Sequence, residues 1–136
     1  MIENHQKSGL KIFRKQVGPW GLNAYALVCS KTQKSVLIDP GAEPDALDKL
    51  LAKTEPVAIM LTHTHSDHIG ALAEMRKRLN APLMAHSGPH ADIVNLDADR
   101  WLAHGDRVKV GHHQINVYHT PGHTPDQICL MNEGHH

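Results

Sequence analysis

The stretch Thr62-His63-Thr64-His65-Ser66-Asp67-His68 places three imidazoles and a carboxylate, all groups that bind metal ions, within six consecutive positions. In an extended segment, side chains two apart point to the same side, so His63 and His65 can reach one ion. Asp67 and His68 fall at the turn that follows and can reach a second ion nearby. Imidazole and carboxylate together suit zinc, with iron or manganese also possible. The stretch therefore reads as half of a two-metal site. A second stretch, Val117-Tyr118-His119-Thr120-Pro121-Gly122-His123-Thr124-Pro125, puts a histidine in a Pro/Gly loop directly after an alternating strand pattern. Pro121, Gly122 and Pro125 restrict that loop's backbone, as a closely positioned ligand requires, and His123 is the natural third ligand for the first ion.

Such a donor set has a definite chemistry. Zinc lowers the pKa of a bound water to about 7, which makes a hydroxide available to attack a carbonyl at neutral pH. The ions also polarise that carbonyl and stabilise the developing oxyanion. Asp67, beside the second ion, is the candidate catalytic group that orients the hydroxide and takes up its proton. The reaction is then hydrolysis of an ester, thioester or amide-like bond in a small-molecule substrate. Ser66 lies among the ligands without the glycine pattern of a nucleophile elbow, which argues against a serine hydrolase.

The elements around these loops must hold them in place. Val57-Ala58-Ile59-Met60-Leu61 is a short apolar run of the kind that makes a buried strand, and Ile69-Gly70-Ala71-Leu72 begins a helical pattern, so the first ligand group sits on a strand-to-helix loop. Strands are expected over 10–17, 23–30, 35–38, 57–61, 82–85, 107–110, 114–118 and 127–131. Helices are expected over 44–53, with Leu47, Leu50 and Leu51 on one face, and over 69–79, stopped by Asn80-Ala81-Pro82. Arg76, Lys77 and Arg78 read as a solvated face of the second helix, and Trp101 beside Leu102 reads as core. His86 and His90 read as solvated loop residues, His104, His112 and His113 as surface residues at turns, and His119 as a packing residue rather than a ligand.

Three motifs in this order resemble the metallo-β-lactamase superfamily, in particular its glyoxalase II-like hydrolases: Val36-Leu37-Ile38-Asp39-Pro40-Gly41, the His63-x-His65-x-Asp67-His68 run, and Thr120-Pro121-Gly122-His123-Thr124-Pro125. The resemblance covers residues 22–136 and implies an α+β fold, the four-layer αββα sandwich. It implies that His63, His65 and His123 hold metal one, that Asp67 and His68 hold part of metal two, and that one or two zinc ions are the cofactor. Asp39 sits where the superfamily has an aspartate that braces the site, and its alternative role is that of a turn residue ahead of Pro40-Gly41. Members of the superfamily continue to an aspartate that bridges the two ions and to one more histidine. After His123 the acidic residues are Asp126 and Glu133, and neither is spaced like that bridge. The chain is accordingly expected to be a metallo-β-lactamase-type domain over 1–136 that lacks its C-terminal part. The alternatives are a non-catalytic metal-binding fragment, or a nuclease or iron-dependent sulfur dioxygenase branch of the same superfamily.

Composition bounds the remaining readings. The formal charge is zero, with 14 basic and 14 acidic residues, so no charge excess points to nucleic acid or a membrane surface. The segment Met1-Ile2-Glu3-Asn4-His5-Gln6-Lys7 carries no apolar leader, which favours the cytoplasm. Cys29 and Cys129 each lie in an apolar run and are expected as buried thiols rather than a disulfide.

Overall fold

In a computed structural model, the structure describes residues 2–3, 9–19, 21–62, 64, 69–90, 96–121 and 126–132. Among these described residues ten strands and two helices follow in the order β1 (Ile2–Glu3), β2 (Leu10–Val17), β3 (Leu22–Cys29), β4 (Lys34–Ile38), α1 (Pro44–Leu50), β5 (Glu55–Met60), α2 (Leu72–Leu79), β6 (Leu83–His86), β7 (Arg100–Leu102), β8 (Arg107–Val110), β9 (His113–His119) and β10 (Ile128–Asn132). They build two sheets, a six-stranded one ordered β2-β3-β4-β5-β6-β7 and a four-stranded one ordered β1-β10-β9-β8.

The long apolar runs are explained by burial on both faces. In β4, Val36, Leu37 and Ile38 are all fully buried, yet they belong to two different cores. Leu37 joins Ile59, Leu61, Leu83 and Ala85 against Leu47 and Met75 of the two helices. Val36 and Ile38 join Ala58, Met60 and Leu102 against Val108, Ile115, Val117, Ile128 and Leu130 of the second sheet. Alternate side chains along one strand thus serve opposite faces, and near-continuous hydrophobicity is what a strand covered on both sides requires. The parallel pairs β4–β5 and β5–β6 are linked through α1 and α2, which cover the outer face. Helix, sheet and sheet are the first three layers of the expected αββα sandwich.

The edge strand β2 alternates only weakly and exposes Lys11, Phe13, Arg14, Lys15 and Gln16. Charges on an edge discourage pairing with another chain. Gly111, at φ +61, turns β8 into β9 against the end of β3; a β-carbon there would stand 2.6 Å from Cys29 Cβ.

Most elements fall where the sequence places them, and the differences have local causes. Helix α1 stops at Leu50, and residues 51–54 form a turn in which Thr54 Oγ1 donates to Leu51 O at 2.6 Å. Helix α2 begins at Leu72, because Ile69 to Ala71 form a turn whose Ala71 N–H donates to Pro40 O at 2.9 Å. Strand β7 had no periodic signal at three residues; it is recruited by parallel pairing with β6, and Trp101 is 44 % exposed rather than core. His113 is buried rather than superficial, and burial holds its pKa below the ordinary imidazole value. Arg78 is not simply solvated: it bridges Glu74 of its own helix to Asp45 and Asp48 of α1. Cys29 and Cys129 are both free thiols, the first buried and the second half-buried.

Candidate functional site at the strand ends

The expected ligands His63, His65, Asp67, His68 and His123 lie outside the described residues, as do Ser66 and Glu133. Among the described residues no group of three or more His, Cys, Asp and Glu gathers to hold an ion. What the structure describes is the frame on either side of the two loops that carry the expected ligands.

The first loop leaves β5 through Leu61 and Thr62 and enters α2 through Ile69 to Ala71, and one dipeptide clamps both ends. Asp39 is buried, and its Oδ1 accepts the Thr62 backbone N–H at 2.8 Å while its Oδ2 accepts the Thr62 hydroxyl at 2.5 Å. The Asp39 N–H donates to Met60 O at 3.0 Å, and the next residue's carbonyl, Pro40 O, accepts from Ala71. Asp39 adopts a left-handed backbone at φ +55, a conformation that Asp and Asn tolerate better than most residues. This turn geometry aims the carboxylate at Thr62.

The second loop spans β9 and β10, which pair antiparallel with Ile128 opposite His119. Thr120 N–H donates to Gln127 O at 2.9 Å and closes the loop. Two further bonds tie it to the first loop. Ile128 N–H donates to Thr62 O at 2.8 Å, and the Thr64 hydroxyl donates to Asp126 Oδ2 at 2.5 Å. Asp126 is only 2 % exposed, and its Oδ1 has no hydrogen-bond partner among the described residues. Sequence spacing set this residue aside because it could not be the bridging aspartate. The local signal that was available is an acid three residues beyond a candidate ligand in a loop stiffened by proline.

Histidines discounted on the sequence assemble beside this frame. Met60 pairs with Met84 in register and Leu61 N–H donates to Met84 O, so Thr62, just past the end of β5, leaves the sheet beside the end of β6 that carries His86. The His86 ring stacks on the His119 ring with centroids 4.0 Å apart and planes 14° from parallel. His86 Nδ1 accepts the Gly88 N–H at 3.1 Å, and His90 Nε2 meets His86 O at 2.8 Å. His90 in turn stacks on Trp101, and the His119 N–H donates to His104 Nδ1 at 3.1 Å. Burial first, and the neighbouring His119 and His90 second, hold the His86 pKa below its ordinary value, although Asp126 pulls the other way. A hollow of about 540 Å³ opens beside His104, Tyr118, His119 and Cys129 on the second sheet. Another of about 610 Å³ lies far from the loops, between Lys15 and α1.

The frame accommodates a metal. A buried carboxylate oxygen with no donor among the described residues, at Asp126, calls for a cation or an N–H beside it, and the flanking sequence carries four imidazoles and an aspartate. Fold and frame together define an α/β sandwich of two sheets with its candidate site at one end of the strands. Residues 17–135 match the model of the metallo-beta-lactamase superfamily, and the chain belongs to that superfamily. It is similar to a hydroxyacylglutathione hydrolase of Bdellovibrio bacteriovorus, 38 % identical over 112 residues that make up 82 % of this chain and 44 % of the relative. It therefore spans less than half the length of that relative. Among solved structures it is similar to the BLEG-1 B3 metallo-beta-lactamase, with TM-score 0.74 and 29 % identity over 87 % of this chain and 65 % of that one. It is also similar to the di-iron-bound form of TTHA1623, with TM-score 0.67 and 32 % identity over 85 % and 64 % of the two chains.

Proposed function

We propose that this chain carries the metal-binding part of a metal-dependent hydrolase that acts on a hydroxyacyl thioester. The observation that supports the reading is the double tether Thr62 to Ile128 and Thr64 to Asp126, which joins residues that flank or interleave the stretches where the sequence concentrates its candidate ligands. In this reading His63, His65 and His123 hold the first ion, and Asp67 and His68 contribute to a second. Zinc in such a site activates water for attack on a carbonyl. Asp67 takes the departing proton, Asp39 fixes Thr62 and through it the backbone entering His63, and Asp126 fixes Thr64 between His63 and His65. The thioester is favoured over other bonds by the likeness to a hydroxyacylglutathione hydrolase. Iron is the second metal reading, supported by the di-iron neighbour. The domain reading, a metallo-β-lactamase domain over 1–136 whose remaining ligands come from further chain, belongs to the same proposal, as does a cytoplasmic location. No helix among the described residues is long and apolar enough to cross a membrane.

Elemental analysis of the purified chain, and of a longer form of it, joined to a thioester hydrolysis assay with a hydroxyacylglutathione, tests the reading. Bound zinc or iron and metal-dependent thioester cleavage by the longer form are expected. A chain that binds neither ion would sink the ligand assignment, and a longer form that binds metal yet leaves the thioester intact would sink the substrate.

A further inference from the structure

We propose that His86 donates a hydrogen bond from its Nε2–H to the acyl oxygen of the substrate, a role that rests on the thioester hydrolase reading above. The ring is held by two contacts and its backbone by a third. Gly88 donates its N–H to Nδ1 at 3.1 Å, so Nδ1 offers its lone pair and a neutral ring carries its proton on Nε2. His119 stacks on one face at 4.0 Å, and His90 braces the His86 carbonyl at 2.8 Å. Gly88 is needed for this arrangement: at φ +103 a β-carbon there would stand 2.9 Å from His90 N and 3.2 Å from its ring.

Position and tautomer then assign the role. Along β6 the side chain of Met84 packs on the core between the sheets, and His86, two residues on, continues that face. It emerges beside the point where Thr62 leaves the sheet, one strand away from the first loop, and touches the end of β9 where the second begins. A ring whose Nδ1 is taken by a backbone donor presents N–H, not a lone pair, at Nε2. His86 is therefore built to donate to an oxygen rather than to ligate a metal. A fixed donor at the rim of an acyl-transfer site strengthens its bond as the acyl oxygen gains negative charge.

Two variants separate the donor from the stack. His86→Phe keeps a flat ring against His119 and removes the N–H, whereas His86→Gln keeps an N–H near the Nε2 position and removes the ring. With metal-loaded longer protein and a hydroxyacylglutathione, His86→Phe is expected to lose roughly 100-fold in kcat/KM, mostly in kcat, at unchanged metal content and Tm. His86→Gln is expected to recover most of that loss. Full activity in His86→Phe, or a loss confined to His86→Gln, would overturn the proposal. Imidazole 15N spectra of the zinc-loaded protein with lactate as the probe read the same ring without turnover. An Nε2–H tautomer whose proton signal moves with lactate supports the assignment, and an Nδ1–H tautomer or an unmoved signal refutes it. A wild-type protein that binds metal but hydrolyses no thioester would refute the proposed function and leave His86 to be judged by the spectra.

Discussion

Replacing Asp39 by alanine should be among the most damaging single changes outside the ligands themselves. The carboxylate accepts two hydrogen bonds from Thr62, at 2.8 and 2.5 Å, from a position only 4 % exposed. Each such bond to a charged acceptor contributes about 1.5 kcal/mol or more, and the backbone N–H and hydroxyl left behind lose their acceptor in a buried setting. The left-handed backbone at φ +55 adds about 1 kcal/mol against alanine, which lacks the side chain that makes this conformation tolerable. The sum is about 4 kcal/mol, or a fall in Tm of roughly 12 °C for a domain of this size. Asp39→Asn should cost only about 1 kcal/mol, because asparagine accepts the left-handed backbone and retains one oxygen for the Thr62 N–H. Thermal melts on metal-free protein read the stability change without any contribution from an ion. Chelator competition on the same variants should then show zinc affinity reduced about 10- to 100-fold in Asp39→Ala, since Thr62 leads directly into His63. An alanine variant that melts within a few degrees of wild type, or an asparagine variant as unstable as alanine, would refute the view that this carboxylate braces the loop.

Other perturbations test other parts of the frame. His63→Ala should lose the first ion, and elemental analysis showing unchanged metal stoichiometry would remove His63 from the ligand set. A double-mutant cycle of Thr64→Val with Asp126→Ala should give a coupling energy of about 2 kcal/mol by denaturant unfolding, and a coupling near zero would mean that the 2.5 Å contact does not join the loops. His113 is buried with its pKa below the ordinary value, so protonation favours the unfolded chain. Its contribution is present above the unfolded-state pKa of about 6.5 and is lost as pH falls through the lower folded-state value. Tm measured from pH 8 down to 5 should therefore fall below about pH 6.5, and less steeply in His113→Gln; parallel curves for the two proteins would rule this histidine out.

Much of the architecture was legible because its signals are local. The apolar runs Val36 to Ile38 and Ala58 to Met60 were expected as strands, and they are strands, which the structure buries on both faces. Asn80 ends α2 with a left-handed residue, as the Asn-Ala-Pro stop implied. Helix starts were less legible: Ile69 belongs to the helical pattern by hydropathy, but the backbone of Ala71 is claimed by Pro40, a partner 31 residues earlier, which delays the first turn. Strand β7 was invisible for the same kind of reason. Three residues have no period, and Arg100 to Leu102 become a strand only because the edge of β6 offers them hydrogen bonds.

The candidate site divides along the same line. Residue type and spacing marked His63, His65, Asp67, His68 and His123 as candidate ligands, and the resemblance to the superfamily added Asp39 as a brace, because metal coordination demands particular donors at short separations that a linear sequence displays directly. Residue identities could not reveal that Asp39 and Pro40 clamp both ends of the first loop, or that Thr64 reaches Asp126 across 62 positions. Nor could they show that His86 and His119, 33 positions apart, lie ring on ring. Those contacts join side chains on different strands and sheets, and a hydrogen bond or a stack depends on where the packed layers bring two groups in space. The chemistry was therefore written in local order, while its support was decided by the closing of one sheet upon the other.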